Sequence, residues 1–408
     1  MRLLFLNPSA QLGGAEAALY ELLSALRTAH PAWSLGLVVA AEGPLVERVR
    51  ALGMPVTVLP FPSSLARLGD WNLGRGLAAR LRMAVALGAA AVPAARYAWR
   101  LRRLVGREHP DVVHANGLKM HVLGAWTRPR GSALLWHVHD YVSRRPLAAR
   151  LLRQRVRDCA AIVANSQSVA ADAGRAIGPG PAVHAVLNAV DLSRFSPSGA
   201  AADLDALAGL PPAPAGVVRI GLVATFARWK GHRTFLEALA LMDRSLPVRG
   251  YIIGGPVYET AGSQVSLDEL RAEAAALGLE SRVGFTGFVP DAAHAMRALD
   301  VVVHASTEPE PFGLVIAEGM ACGRAVVISR AGGAAEIVTD GVDAIATPPG
   351  DAKALAVALD RCAGDRALRA RLGAEARRTA LERFDPSAFV RQFLEIYGAV
   401  APQAVTPA

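Results

Sequence analysis

Short, unbroken apolar runs alternate with helical stretches along this chain, and the alternation occurs twice over. In the first half the runs are Arg2–Asn7, Ser34–Ala40, Pro55–Leu59, Asp111–His114, Ala133–Val138, Ala160–Ala164 and Val183–Leu187. A strand that is apolar at every position is buried on both faces, which is the signature of a parallel sheet covered by helices on either side. Residues 196–216 (the segment around PSGAAADLDALAGLPPAPAG) are rich in Pro, Gly and Ala and read as a linker. The alternation then restarts with Val217–Val223, Val248–Gly254, Arg282–Thr286, Val301–His304 and Ala325–Ile328. The pattern predicts an α/β protein of two Rossmann-like parallel-sheet domains facing across a cleft, with ligands held beyond the carboxyl ends of the strands. The expected domains are 1–195 and 217–384, with a C-terminal helix at about 385–400 packing back on the first.

A length of 408 residues fits two such domains. The three cysteines, Cys159, Cys322 and Cys362, are far apart and form no CxxC, which argues against a disulfide framework and a zinc site. The N-terminal apolar run is too short for a signal peptide, and the run Met83–Ala95 is too short for a membrane span. The expectation is a cytoplasmic protein.

The loops after strands carry the chemistry. Gly13 and Gly14 stand between the first strand and an amphipathic helix. They serve either as an ordinary turn or as a close backbone approach to an anion at a helix start. His114, His137 and His139 lie at or near two strand ends, with Asp140 following, and an imidazole there can exchange a hydrogen bond or a proton near neutral pH. Arg228 and Lys230 follow the first strand of the second half, where two cations can neutralise a diphosphate. Glu310 follows the strand VVVH and Glu318 comes eight residues later. Between them, Phe312, Gly313 and Leu314 form a tight turn whose amides can hold phosphate oxygens. Paired carboxylates also occur in glycoside hydrolases, but such an enzyme needs neither two Rossmann-like halves nor a cationic loop.

Taken in order, these segments resemble the retaining nucleotide-sugar glycosyltransferases of the GT-B fold, in the large fourth sequence family (glycosyl transferases group 1). The resemblance is carried by GGAE at Gly13–Glu16, HD at His139–Asp140, NAVD at Asn188–Asp191 with Phe195 and Pro197, EPFGLVIAE at Glu310–Glu318, and the following AGGAAEIV. It implies donor-binding roles for Gly14, Arg228, Lys230, Glu310, Phe312, Gly313, Leu314 and Glu318, and catalytic roles for His139, Glu310 and Lys230. Glu318 would hold the nucleotide ribose, Glu310 the donor sugar near its anomeric carbon, and Lys230 with the 312–314 amides the diphosphate. His139 would meet the donor sugar near the reacting centre. Thr225 departs from the family, which usually has Arg there, and Arg228 is the nearest substitute.

The reaction implied is transfer of a hexosyl unit from a UDP- or GDP-sugar, with retention, by a front-face route in which the leaving diphosphate takes the acceptor proton. No cofactor and no metal are called for. A sugar phosphorylase, a nucleotide-sugar epimerase or a non-catalytic sugar-nucleotide-binding protein on the same scaffold are the alternatives.

The net charge of +9 is unevenly spread: residues 1–196 carry +13 and residues 197–408 carry −4. Nine arginines and one acid, Asp70, fall within 67–107, where Arg96, Arg100, Arg103 and Arg107 share a helical face. Six more arginines fall within 144–157, among them Arg150, Arg153 and Arg157 on one face. With Trp99 and aliphatic residues interleaved, this resembles a surface for anionic lipid at the inner face of a membrane, and implies a lipid-linked or envelope glycan acceptor. No nucleic-acid recognition motif accompanies the charge.

Overall fold

The computed structural model describes residues 1–66, 77–256, 264–289 and 291–404. The chain divides into two compact units, Met1–Val186 with Ser387–Ala408, and Leu187–Pro386.

The first unit is built on a seven-stranded sheet. Its strands are β1 Arg2–Asn7, β2 Ser34–Val39, β3 Val56–Val58, β4 Val112–Asn116, β5 Ala133–Val138, β6 Ala161–Ala164 and β7 Val183–Ala185, in the order β3-β2-β1-β4-β5-β6-β7. All pairings are parallel. Side chains alternate between faces, as the two-residue period requires. Leu4, Leu6, Val113, Ala115, Leu134, Trp136 and Val138 enter one core with Tyr97, Leu101 and Val105 of the helix Leu77–Glu108. The opposite phase brings His114 and His137 against the C-terminal helix Pro386–Val400, whose Phe393 and Tyr397 are fully buried, with Phe5 beside His114.

The second unit repeats the plan with six strands: β8 Val218–Val223, β9 Val248–Ile253, β10 Val283–Gly287, β11 Val301–His304, β12 Ala325–Ser329 and β13 Ile345–Thr347. Their order is β10-β9-β8-β11-β12-β13, again all parallel. Successive residues feed two cores. Val301, Val303, Ala325 and Val327 face one side; Val302, Val326 and Ile328 face the other. The three-residue β13 is the strand that the sequence pattern does not announce. Among the described residues, no helix is long and apolar enough to cross a membrane.

A buried carboxylate helps to tie the Pro- and Gly-rich segment 196–216 into the second unit, beside bonds from Ala202 N to His294 O and from Arg297 Nε to Ala200 O. Asp205 is buried and accepts from Arg249 Nη1 at 2.6 Å, Arg219 Nη2 at 3.0 Å and Tyr251 Oη at 2.5 Å. Arg249 is also buried, so removing Asp205 would leave a guanidinium charge without its counter-ion. Asp205→Ala is expected to cost about 3–5 kcal/mol, the usual penalty for orphaning a buried charge. Urea unfolding of the full chain would measure it, and a midpoint equal to that of the unmodified protein would refute the anchoring role.

Candidate functional site

In each sheet the strand order reverses once, between β1 and β4 in the first unit and between β8 and β11 in the second. At such a reversal the connections leave in opposite directions and the strand ends stay open to a ligand. Buried polar side chains gather at both reversals.

In the second unit the loops after β8 and β11 are stitched together. Thr307 N donates to Trp229 O at 2.8 Å. Gly231 has a φ of +74°, and a Cβ there would lie 1.8 Å from the carbonyl oxygen of Ala305, so only glycine fits. This close approach places Lys230 against Glu310. Lys230 Nζ donates to Glu310 Oε2 at 2.8 Å and sits 3.9 Å from the centre of the Trp229 ring. The same carboxylate oxygen accepts from Ser306 Oγ at 3.0 Å and lies 3.2 Å from His304 Nε2. Burial alone would raise the pKa of Glu310. The Lys230 charge and the His304 hydrogen bond outweigh that and hold the carboxyl well below the usual carboxylate range. Glu310 is therefore a buried, ionised carboxylate at neutral pH.

The backbone of Glu310 also fixes the glycine segment after β12, since Glu310 N donates to Ala331 O at 3.3 Å and Gly333 N donates to Glu310 O at 2.7 Å. Gly313, at φ +97°, opens the helix Leu314–Ala321 without a side-chain cap, which leaves the first-turn amides available to an anion. The Phe312 side chain is core, packed edge-on against Phe384. Glu318 is half-buried and lies one turn after Leu314 on the same helix face. Arg228 is not brought to this cluster: its guanidinium pairs with Glu269 at 3.1 Å, and both side chains are more than half exposed.

In the first unit Gly13 is an extended residue that starts the helix Gly14–Ala29, also without a side-chain cap. His139 lies just beyond β5, with Nε2 2.5 Å from Asn116 Oδ1. Asn116 Nδ2 in turn lies 2.6 Å from Asn7 Oδ1. His114 and His137, singled out with it in the sequence, are fully buried. His114 Nδ1 meets the Tyr397 hydroxyl at 2.7 Å, and the His137 ring lies 4.0 Å from that of His139. Burial pushes the imidazole pKa of His139 down to about 3 and that of His121 to about 4. It lowers His114 and His137 well below the ordinary value, and neighbouring histidines push His114, His137 and His139 the same way. Sequence reasoning missed Asn7, Asn116, His304 and Ser306. The first three are the last residues of β1, β4 and β11, so the strand-end rule applied to Asn as well as His would have found Asn7 and Asn116.

The arginine faces are exposed. Tyr97, Leu101 and Val105 point inward from the helix Leu77–Glu108, while Arg96, Arg100, Arg103 and Arg107 point outward. Trp99 is exposed on the same helix, with Arg103 4.7 Å from its ring. Arg150 and Arg153 are exposed on the helix Pro146–Arg155, and Arg157 in the turn that follows. Arg67 and Arg75 lie outside the described residues, as do the side chains of Arg80 and Arg82.

Residues 12–194 match the family model described as Glycosyltransferase Family 4, and residues 213–379 match that described as Glycosyl transferases group 1. A lipopolysaccharide core biosynthesis glycosyltransferase, LpsD of Rhizobium meliloti, is 33% identical over 50% of this chain and 54% of its own length. A GDP-mannose-dependent phosphatidylinositol monomannoside mannosyltransferase of Mycolicibacterium smegmatis is 30% identical over 64% of this chain and 72% of its own. The chain spans about half the length of the first curated relatives it matches. Among solved structures, Anabaena Alr3699/HepE in complex with UDP-glucose is 28% identical with a TM-score of 0.77, covering 98% of this chain and 100% of that one.

The buried neutral histidines set a pH dependence of stability. Their folded pKa values lie below the unfolded value of about 6.5, so the unfolded chain takes up protons first as pH falls. Stability is complete above that value and is lost progressively as pH falls from about 6.5, to about 4 for His121 and about 3 for His139, by at most about 2 kcal/mol per buried histidine at pH 5. The depressed carboxylates Glu310 and Asp205 add their loss only at lower pH. Thermal melts should show Tm falling from pH 7.5 to 5. A flat Tm over that window would contradict the neutral burial of His114, His121 and His137.

Proposed function

The chain belongs to the group 1, family 4 glycosyltransferases and has the GT-B fold, and we propose that it moves a hexosyl unit from a nucleotide diphosphate sugar to a glycan or lipid-linked acceptor with retention. The observation that carries this reading is the Lys230–Glu310–His304–Ser306 cluster at the β8/β11 reversal, beside an uncapped helix start. The similarity to a protein crystallised with UDP-glucose supports the donor class.

Each part has a physical task. Lys230, rather than a metal ion, meets the diphosphate; the Glu310 pair and the Trp229 ring hold its ammonium in place, and an ammonium has three protons to share. The amides of Gly313 and Leu314 take phosphate oxygens, and Glu318 takes the ribose hydroxyls. Glu310 presents a fixed negative charge close to where positive charge develops at the anomeric carbon. The anomeric carbon–phosphate oxygen bond breaks, the bond to the acceptor oxygen forms on the same face, and the departing diphosphate receives the acceptor proton. The protein then contributes preorganised charge and alignment, not a covalent nucleophile.

Two of the relatives are named for lipopolysaccharide core biosynthesis and phosphatidylinositol monomannoside, and others for D-inositol 3-phosphate and 2-deoxystreptamine. With the outward arginines and Trp99, the first two support an acceptor at an anionic membrane surface, which the first unit meets from the cytoplasmic side.

UDP-glucose is expected to raise the Tm of the protein, and Lys230→Ala to abolish most of that shift. Lys230→Ala and Glu310→Gln should each lower the transfer rate on the order of 10²–10³-fold, the scale of one preorganised charge contact. Undiminished transfer by Lys230→Ala would remove the diphosphate assignment.

For the membrane surface, sedimentation with vesicles containing acidic phospholipid should exceed that with neutral vesicles. At about 1 kcal/mol per arginine, the triple substitution Arg100→Ala, Arg103→Ala and Arg107→Ala should weaken binding on the order of 100-fold. Equal partitioning to the two vesicle types at moderate salt would refute it.

A further inference from the structure

We propose that Asn7 and Asn116 are positioning residues that lock His139 as a hydrogen-bond acceptor towards substrate, by relaying the polarity of the Ser9 carbonyl through two side-chain amides. The substrate in this statement rests on the glycosyltransferase reading; the relay itself rests on hydrogen-bond chemistry alone.

The chain of inference starts at an atom with only one possible role. The carbonyl oxygen of Ser9 can only accept, and it lies 2.5 Å from the Asn7 side chain, so the amide nitrogen must stand there. Asn7 Oδ1 is then turned to Asn116 at 2.6 Å. An oxygen accepts, so Asn116 presents its Nδ2. That leaves Asn116 Oδ1 facing His139 Nε2 at 2.5 Å, and the ring must carry its proton on Nε2. The amide orientations and the tautomer follow from the network and from no other assumption. Asn7 and Asn116 are 0% and 1% exposed, so water does not compete for these bonds.

A neutral imidazole with its proton on Nε2 has a bare lone pair on Nδ1. In this structure Nδ1 is enclosed and has no partner among the described residues. The ring stays neutral in its surroundings: His137 lies 4.0 Å away, His121 is near, and Asp140 adjoins it in sequence. Glu16 sits at the far end, 3.4 Å from Asn7 Nδ2, and burial raises its pKa. Its protonation does not reset the relay, because the Ser9 carbonyl orients Asn7 in either state.

The consequence is specific. A lone pair at Nδ1 accepts from a hydroxyl and repels a phosphate oxygen. His139 in this tautomer therefore suits a sugar hydroxyl and not a phosphate oxygen. Ser9 lies in the same loop as Gly13, so the loop geometry and the tautomer of His139 are set together.

Nitrogen NMR of the full chain labelled at histidine tests this, with the His139 signals assigned by their loss in His139→Gln. At pH 7 the expected result is a protonated Nε2 and an unprotonated Nδ1. Asn116→Leu removes the acceptor and should yield a mixture of both tautomers. The isosteric Asn116→Asp keeps the acceptor but adds a charge, which stabilises the imidazolium. The His139 titration midpoint should rise by more than one pH unit, and kcat should fall as pH is lowered through that raised midpoint, with KM for UDP-glucose moving far less. A protonated Nδ1 in the unmodified protein overturns the proposal. So does a folded Asn116→Leu in which His139 stays wholly Nε2-protonated, or a folded Asn116→Asp whose midpoint is unchanged. An Nε2-protonated His139 in a protein that transfers from no nucleotide sugar would instead overturn the functional reading and leave the relay standing.

Discussion

A buried carboxylate that must stay ionised organises the second unit. Glu310 is 7% exposed, and desolvating a carboxylate costs several kcal/mol unless partners restore what water supplied. Three groups from two loops do so: Lys230 from the loop after β8, and His304 and Ser306 from the end of β11. Bringing those loops together requires Gly231 against the Ala305 carbonyl and the backbone bond from Thr307 to Trp229. The carboxylate is thus a constraint on the fold as much as a candidate site residue. Its backbone holds Gly333 and its loop leads into Gly313, so the uncapped helix start and the charge are held together.

Asp205 is the useful contrast. It too is a buried carboxylate with cationic partners, Arg249 and Arg219, and a hydroxyl from Tyr251. Its place in the fold separates the two. Asp205 joins the 196–216 segment to β8 and β9 near their amino ends, where two arginines staple chain to chain. Glu310 stands at the reversal of strand order, where the scaffold leaves the strand ends open. Charge chemistry alone does not distinguish a staple from a site; position relative to the sheet does.

Much of this was legible in the residues. Apolar or β-branched runs place twelve of the thirteen strands among the described residues, most of them where burial on both faces leaves a mark at every position. Ile345–Thr347 escapes because three residues carry no period. Lys230 and Glu310 were each identified from loop position, yet nothing in the sequence says that they touch: 80 residues separate them and only the adjacency of β8 and β11 joins them. Arg228, two residues before Lys230, was expected to share its task, but the short turn Arg228–Lys230 sends the two side chains to different partners. His114 and His137 read as site residues because they end apolar runs. They face instead the C-terminal helix, some 280 residues on in the sequence, whose packing on this sheet turns a strand-end histidine into core.

The two reversals are equipped differently, and the difference follows from charge. The second unit can hold a buried anion because it supplies a lysine to pair with it. The first unit carries a net +13 through residue 196, much of it on exposed arginine faces, and its open strand ends hold amides and neutral imidazoles. An aspartate at Asn116 would bond His139 as well as asparagine does, but it would draw a proton onto the ring and bury an ion pair at the strand ends. Asparagine transmits direction without charge. Two amides in series keep donor facing acceptor along the whole line, which a carboxylate, being an acceptor at both ends, cannot do. A neutral relay is therefore the arrangement that fixes one tautomer in a unit whose surface is already strongly positive.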